Sequence, residues 1–375
     1  MRGRLLRPHN VRWLCLFGLS FVFMRLRDLA SRGLVLQLSR LRHSYVSLGL
    51  HPYHFAYFPA QSLGASYLHR RAQSRMASAA EFTPPVPIQA VISDVDGTLY
   101  PFGTNPKLSL ANKAALQRCI DAGLHVGIAT GRIPGPWLEA LRADLPGLGP
   151  GVFANGALVL SAQGESLAQV ALPSAAVEVV RALTVGGQVA GRRLALLALT
   201  TWETAGDAQD SLRYVELAPE GPSWVSALIR NAGEPDAVLV RELSSLGGRA
   251  VHKMVCFTRA DDAAWASMDT VVLALRDVLD GVAEVLDCGP QQCEILPLGC
   301  NKGSGLQKLC AHLGGLSADA IMACGDAEND VEMLRLVGCG VAMGNAKPAA
   351  LEVADVVVGT NEEDGVAEAI GRFVF

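Results

Sequence analysis

The 375-residue chain has no run of 18 apolar residues, which excludes an integral membrane helix of ordinary length. Its nine cysteines include no Cys-x-x-Cys pair, so zinc-finger spacing and a secreted disulfide framework are both missing, and a reducing compartment is the consistent inference. Internal repeats are absent. Acid is scarce at one end: residues 1–80 hold twelve Arg, no Lys and one acid, Asp28, against 20 basic and 35 acidic residues in the remainder. Net charges of about +11 and −15 assign the two parts different tasks. The acidic body gives no reason to expect a nucleic-acid partner, and the apolar pattern none to expect integral membrane association.

The Arg-rich, acid-poor leader, residues 1–80, reads as an organelle transit peptide, directing the protein to a plastid or mitochondrion. A secretory signal competes, since Trp13 to Met24 is an uncharged stretch of the size of an h-region, but arginines continue through Arg70, Arg71 and Arg75. A third reading starts the protein at Met76 and leaves it in the cytosol. Thr83-Pro84-Pro85-Val86-Pro87 then serves as an extended linker.

Four short segments carry the chemistry. Ala90-Val91-Ile92-Ser93 is an apolar strand that delivers Asp94-Val95-Asp96-Gly97-Thr98 into a glycine turn, two carboxylates one residue apart, as a carboxylate nucleophile and a carboxyl acid/base require. A second strand, Leu124 to Ala129, ends in Thr130-Gly131-Arg132, where a hydroxyl and a glycine amide meet an anion. Lys302 precedes Gly303-Ser304-Gly305 at a predicted helix start. Cys324-Gly325-Asp326-Ala327-Glu328-Asn329-Asp330 places further acids after the strand Ile321 to Cys324, the hard oxygen ligands that Mg²⁺ takes. Each is weak alone; in this order, at strand ends, they are specific.

Together these residues resemble the haloacid dehalogenase superfamily of phosphohydrolases, whose pattern is Asp-x-Asp-Gly-Thr, a Thr or Ser after the second strand, a lone Lys, and Gly-Asp-x-x-Asn-Asp. Ala154-Asn155-Gly156-Ala157, Glu294-Ile295, Val341 to Ala346 and Asn361 to Val366 also resemble phrases of its Cof-type branch (subfamily IIB), over roughly residues 88–375. The resemblance implies that Asp94 attacks phosphorus to give an aspartyl phosphate, and that Asp96 is the acid/base. It implies that Thr130, Gly131, Lys302 and Asn329 hold the phosphoryl oxygens. It places Mg²⁺ between Asp94, the backbone carbonyl of Asp96, and Asp326, with Asp330 in support. Thr130 serves equally as a helix cap. Arg132 and Asn155 stand evenly between ligand contact and loop structure, while Glu294, Asn345 and Trp137 are expected to support the site.

The expected fold is α/β, a Rossmann-like parallel sheet with an inserted α/β cap. Residues 81–168 and 288–375 form the core, with the strand rhythm resuming at Cys293, and residues 169–287 form the cap. In the cap, Arg192, Arg193, Arg213, Arg230 and Lys253 are candidates for anionic substrate groups, although most read as solvated surface charges. The function so read is a Mg²⁺-dependent phosphatase acting on a small phosphorylated metabolite, a sugar phosphate or a nucleotide or cofactor phosphate. Its rivals are a sugar phosphomutase of the same superfamily and a catalytically silent binding protein.

Overall fold

A computed structural model of the chain describes residues 82–101, 107–184, 188–202, 211–218, 224–259 and 261–375. The leader read as a transit peptide, residues 1–80, lies outside them. Strand β1 (Ala90–Ser93) is buried along its whole length, as its unbroken apolar sequence requires of a central parallel strand. Helix α1 (Leu110–Asp121) begins where the Ser109 side chain accepts from the Asn112 amide at 3.0 Å, and leads into β2 (His125–Ile128). Helix α2 (Pro136–Asp144) has proline in its first turn, the position where a missing N–H costs least. An antiparallel meander follows: β3 (Gly151–Phe153), β4 (Leu158–Leu160) and β5 (Ser166–Gln169).

The middle of the chain contributes α3 (Ser174–Leu183), the short pair β6 (Gln188–Val189) and β7 (Arg192–Arg193), then β8 (Ala195–Trp202) and β9 (Ser211–Leu217). It continues through α4 (Trp224–Asn231), β10 (Val238–Val240), β11 (Val251–Phe257), α5 (Met268–Leu279), β12 (Ala283–Asp287) and β13 (Gln292–Pro297). Six of these strands form one sheet in the order β10-β9-β8-β11-β13-β12. The strand through Cys293 was expected to reopen the parallel sheet. It pairs instead antiparallel with both β11 and β12, so the return to the core comes after Pro297 rather than at 288. An apolar strand signal does not say which sheet will receive the strand.

The pleat of this sheet divides its residues by parity. Leu196, Ala198, Met254, Cys256, Cys293 and Ile295 share one core with α3 and α5. On the opposite face Leu197, Leu199, Tyr214, Val255 and Phe257 join the cluster containing Ile133, Trp137 and Leu138. Leu199 stands opposite Tyr214, and Val255 opposite Glu294. Lys253, two residues from Val255, and Glu294 therefore project away from the core shared with α3 and α5, Lys253 onto the Gly131 carbonyl.

The chain then completes the parallel sheet with α6 (Lys302–His312), β14 (Ile321–Gly325), α7 (Val331–Leu336), β15 (Cys339–Ala342), α8 (Pro348–Val353), β16 (Val356–Val357) and α9 (Gly365–Phe373). The strand order is β16-β15-β14-β1-β2, every neighbour parallel. From β1 the chain winds one way to β2, and from β14 the other way to β15 and β16. The reversal falls between β1 and β14, at the carboxyl ends where open α/β sheets bind ligands. Among the described residues no helix is long and apolar enough to cross a membrane.

Candidate active site

Ser93 pairs with Cys324, and the Asp94 amide donates to the Cys324 carbonyl at 2.9 Å, so the residues that follow β1 and β14 emerge side by side. Carboxylate oxygens of Asp94, Asp326 and Asp330 all lie within 4.8 Å of one another, buried. Into this cluster α6 delivers Lys302. The Asn301 side chain caps the helix by accepting from the Ser304 amide at 2.8 Å, which starts it on the lysine. Lys302 Nζ is fully buried and donates to Asp94 Oδ1 at 2.5 Å and Asp330 Oδ1 at 2.7 Å. Asp330 Oδ2 accepts from the amides of Asp326 and Ala327 at 3.0 Å each, and the fully buried Thr98 hydroxyl donates to Asp326 Oδ1 at 2.9 Å.

Three carboxylates face one ammonium. Burial, with Asp330 and Asp326 adding to it against the pull of Lys302, holds the Asp94 carboxyl well above its usual range. Burial and then Asp330 push Asp326 up to about 6. Burial alone would lower Lys302, but Asp330 and Asp94 outweigh it and raise it. A buried excess of hard anionic oxygens is what a divalent cation neutralises, so the residues fit a metal ion. Gly97 permits the close approach. Its φ is +83°, and a Cβ there would stand 2.4 Å from Asp326 Oδ2.

Asp96 lies outside the clustered carboxylates. Arg132 Nε donates to its Oδ2 at 2.7 Å and Nη2 to its Oδ1, while Nη1 reaches the Ala232 carbonyl at 2.7 Å. Arg132 is thus both bound to a site carboxylate and tied to the loop after α4. That loop also brings Glu234, whose Oε1 accepts from the Ile133 amide at 3.2 Å. Burial pushes Glu234 up to about 7 despite Lys253, the Ile133 amide and Arg132.

Thr130 is fully buried, and its Oγ1 accepts from the Arg132 amide at 3.1 Å. Gly131 presents its carbonyl to Lys253 Nζ at 2.8 Å. Asn329 Nδ2 donates to Asn155 Oδ1 at 3.0 Å, and Asn155 Nδ2 to Glu294 Oε2 at 2.7 Å. Asn155 has a φ of 52° and is buried, so it is a bridge between motifs rather than a loop side chain. Asn345 supports the turn by donating to the Gly97 carbonyl at 2.9 Å, and Trp137 Nε1 donates to Ile133 O at 2.7 Å. Of the basic residues of the middle segment, Arg192, Arg193 and Arg230 are exposed, whereas Lys253 is buried at the junction. Sequence reasoning missed Glu234, which sits in a Gly-Glu-Pro-Asp stretch indistinguishable from a turn. For Lys253 a signal existed, a lone lysine inside the run Val251 to Phe257.

The family profile of haloacid dehalogenase-like hydrolases matches residues 91–188 and 233–370. The HMP-PP phosphatase of Cronobacter sakazakii is 31% identical over 261 residues, covering 69% of this chain and 85% of that protein. The chloroplastic endoribonuclease YBEY of Arabidopsis thaliana is 32% identical over 293 residues, 76% of this chain and 46% of that protein, so the chain spans under half of that relative. Among solved structures, BT1666 of Bacteroides thetaiotaomicron, analysed among the phosphatases of this superfamily, superposes with a TM-score of 0.59 at 23% identity. That match covers 79% of this chain and 99% of the other, a likeness of fold.

Proposed function

Because the chain belongs to the haloacid dehalogenase-like hydrolases, we propose that it is a Mg²⁺-dependent phosphatase that hydrolyses a small phosphomonoester through an aspartyl phosphate. The observation that carries this reading is the buried Lys302 ammonium bound to both Asp94 and Asp330, beside a second, more open carboxylate, Asp96. Lys302 orients the Asp94 carboxylate and offers positive charge to an incoming phosphoryl group. Asp94 Oδ attacks phosphorus and the bond to the leaving oxygen breaks, with Asp96 giving that oxygen its proton. Asp96 then takes a proton from the water that attacks the phosphoryl-enzyme, and Asp94 and inorganic phosphate are released. Thr130, Gly131, Lys302 and Asn329 hold the phosphoryl oxygens.

Asp94, Asp326 and the backbone carbonyl of Asp96 would hold the Mg²⁺, with Asp330 in support through its bonds to Lys302 and the Asp326 amide. When bound, the ion supplies positive charge where two anions must otherwise approach each other. The six-stranded sheet and its helices form the cap, whose loop at Ala232 to Glu234 covers Arg132 and excludes water. Small metabolites are the substrates, in keeping with the HMP-PP phosphatase relative. The leader routes the protein to a plastid or mitochondrion, in keeping with its arginines and with a relative described as chloroplastic.

The test is a phosphate-release screen of the purified chain with Mg²⁺ across sugar, nucleotide and cofactor phosphates. Release of inorganic phosphate from at least one is expected. An isomerised ester without free phosphate would assign the chain to the phosphomutases, and silence across the panel would remove the enzymatic reading.

A further inference from the structure

Two side chains given phosphate-holding roles above, Thr130 and Asn329, stand on different core segments, yet both trace back to one carboxylate on β13. Glu294 is buried; Oε1 accepts from Lys253 Nζ at 2.8 Å and more distantly from Gln292 Nε2 on the same strand at 3.4 Å, while Oε2 accepts from Asn155 Nδ2 at 2.7 Å. Along the first arm, the same Lys253 ammonium donates to the Gly131 carbonyl at 2.8 Å. That carbonyl shares a rigid peptide plane with the Arg132 N–H, which donates to Thr130 Oγ1 at 3.1 Å. With an acceptor site of the hydroxyl filled, its proton is left to donate outward. Along the second arm, a carboxylate that only accepts makes Asn155 present its NH₂ to Glu294 and therefore its Oδ1 to Asn329. Asn329 must then turn its own NH₂ inward at 3.0 Å, which keeps a second N–H for a ligand.

We propose that Glu294 is a positioning residue of the cap that sets the donor polarity of Thr130 and Asn329 together, so that the phosphate grip is assembled only when the β13 carboxylate is seated against the core. The inference rests on the phosphate-holding roles of Thr130 and Asn329. Such relays in a buried, low-dielectric setting act as units and show up as non-additive substitutions. The isosteric Glu294→Gln is the informative variant, because an amide satisfies only one of the two relay donors, Lys253 and Asn155, and confronts the other with a donor of its own.

The experiment measures binding of inorganic phosphate to the full chain in Mg²⁺ by calorimetry, which does not depend on turnover. Glu294→Gln is expected to weaken phosphate about tenfold. Thr130→Ala/Asn329→Ala is expected to weaken it at least as much, and adding Glu294→Gln to that pair to change nothing further. Wild-type affinity in Glu294→Gln, or an undiminished tenfold loss on the Thr130→Ala/Asn329→Ala background, would overturn the proposal and leave Glu294 a merely structural acid. Wild-type affinity in Thr130→Ala/Asn329→Ala would instead overturn the phosphate-holding roles themselves. Should Glu294→Gln not fold, the arms are separable: Lys253→Met should lose its effect when combined with Thr130→Ala and keep it with Asn329→Ala. Asn155→Gly, which suits the positive φ, should do the reverse, and equal additivity in all four combinations counts against the relay.

Discussion

Arg132 and Asp96, which follow neighbouring strands β2 and β1, form a forked ion pair, and the remaining guanidinium nitrogen crosses to the Ala232 carbonyl in the loop after α4. Each oxygen of the proposed acid/base thus accepts one Arg132 N–H and keeps a lone pair for a leaving group, so Arg132 fixes the orientation in which Asp96 is met. Lysine carries the charge without the fork. Arg132→Lys is expected to lower kcat about tenfold or more and to slow hydrolysis of the phosphoryl-enzyme, read by rapid-quench labelling. Unchanged labelling kinetics would dissociate Arg132 from Asp96.

Asp94→Asn should abolish phosphate release while leaving the fold intact. The amide keeps the shape and an oxygen for Lys302 but is neither a nucleophile nor an anion. Residual turnover above a trace in pure protein, with an unaltered circular dichroism spectrum, would take the nucleophile role from Asp94.

Lys302→Met should cost more stability than an average core change. Removing the ammonium leaves the buried Asp94 and Asp330 carboxylates uncompensated, a loss of about 3–5 kcal/mol for a broken buried pair. Urea denaturation at neutral pH measures it, and a change under about 1 kcal/mol would show that the cluster relaxes or protonates at little cost.

For the metal, the crowded carboxylates predict a readout apart from activity. Mg²⁺ should raise the melting temperature of the wild-type chain, excess chelator should reverse the rise and eliminate turnover, and Asp326→Ala should blunt both responses. A melting temperature indifferent to Mg²⁺ would argue against a resident cation.

Glu234 makes stability fall with pH in a defined window. Its carboxyl is pushed by burial from an ordinary value near 4.5 up to about 7, so the native state binds its proton more tightly than the unfolded chain does. The stabilisation from that proton is fully present below the unfolded value and is lost as pH rises through about 7. Glu234→Gln carries no such proton, so its melting temperature should gain on that of the wild type between pH 5 and 8. Parallel curves across that interval would contradict the shift.

The acids and the lysine that cluster at the candidate site were legible because the signals that place them are local. An apolar run ending in Asp94-Val95-Asp96-Gly97, another ending in Gly325-Asp326, and a lysine just inside a capped helix each state their own geometry through strand burial, turn chemistry and capping.

Only the folded chain could show which sheet takes the strand through Cys293, since β-pairing depends on partners dozens of residues away and not on the strand's own composition. The same holds for the groups that steady the site. Lys253 and Gly131 are 122 positions apart, Asn155 and Glu294 are 139, and Arg132 and Ala232 are 100. A charge in an apolar run or an acid in a turn has a meaning in sequence only as an exception. Its partner is chosen by strand register, which puts Lys253 and Glu294 on the face of the six-stranded sheet turned away from α3 and α5, and by burial, which makes an unpaired charge too costly to leave there.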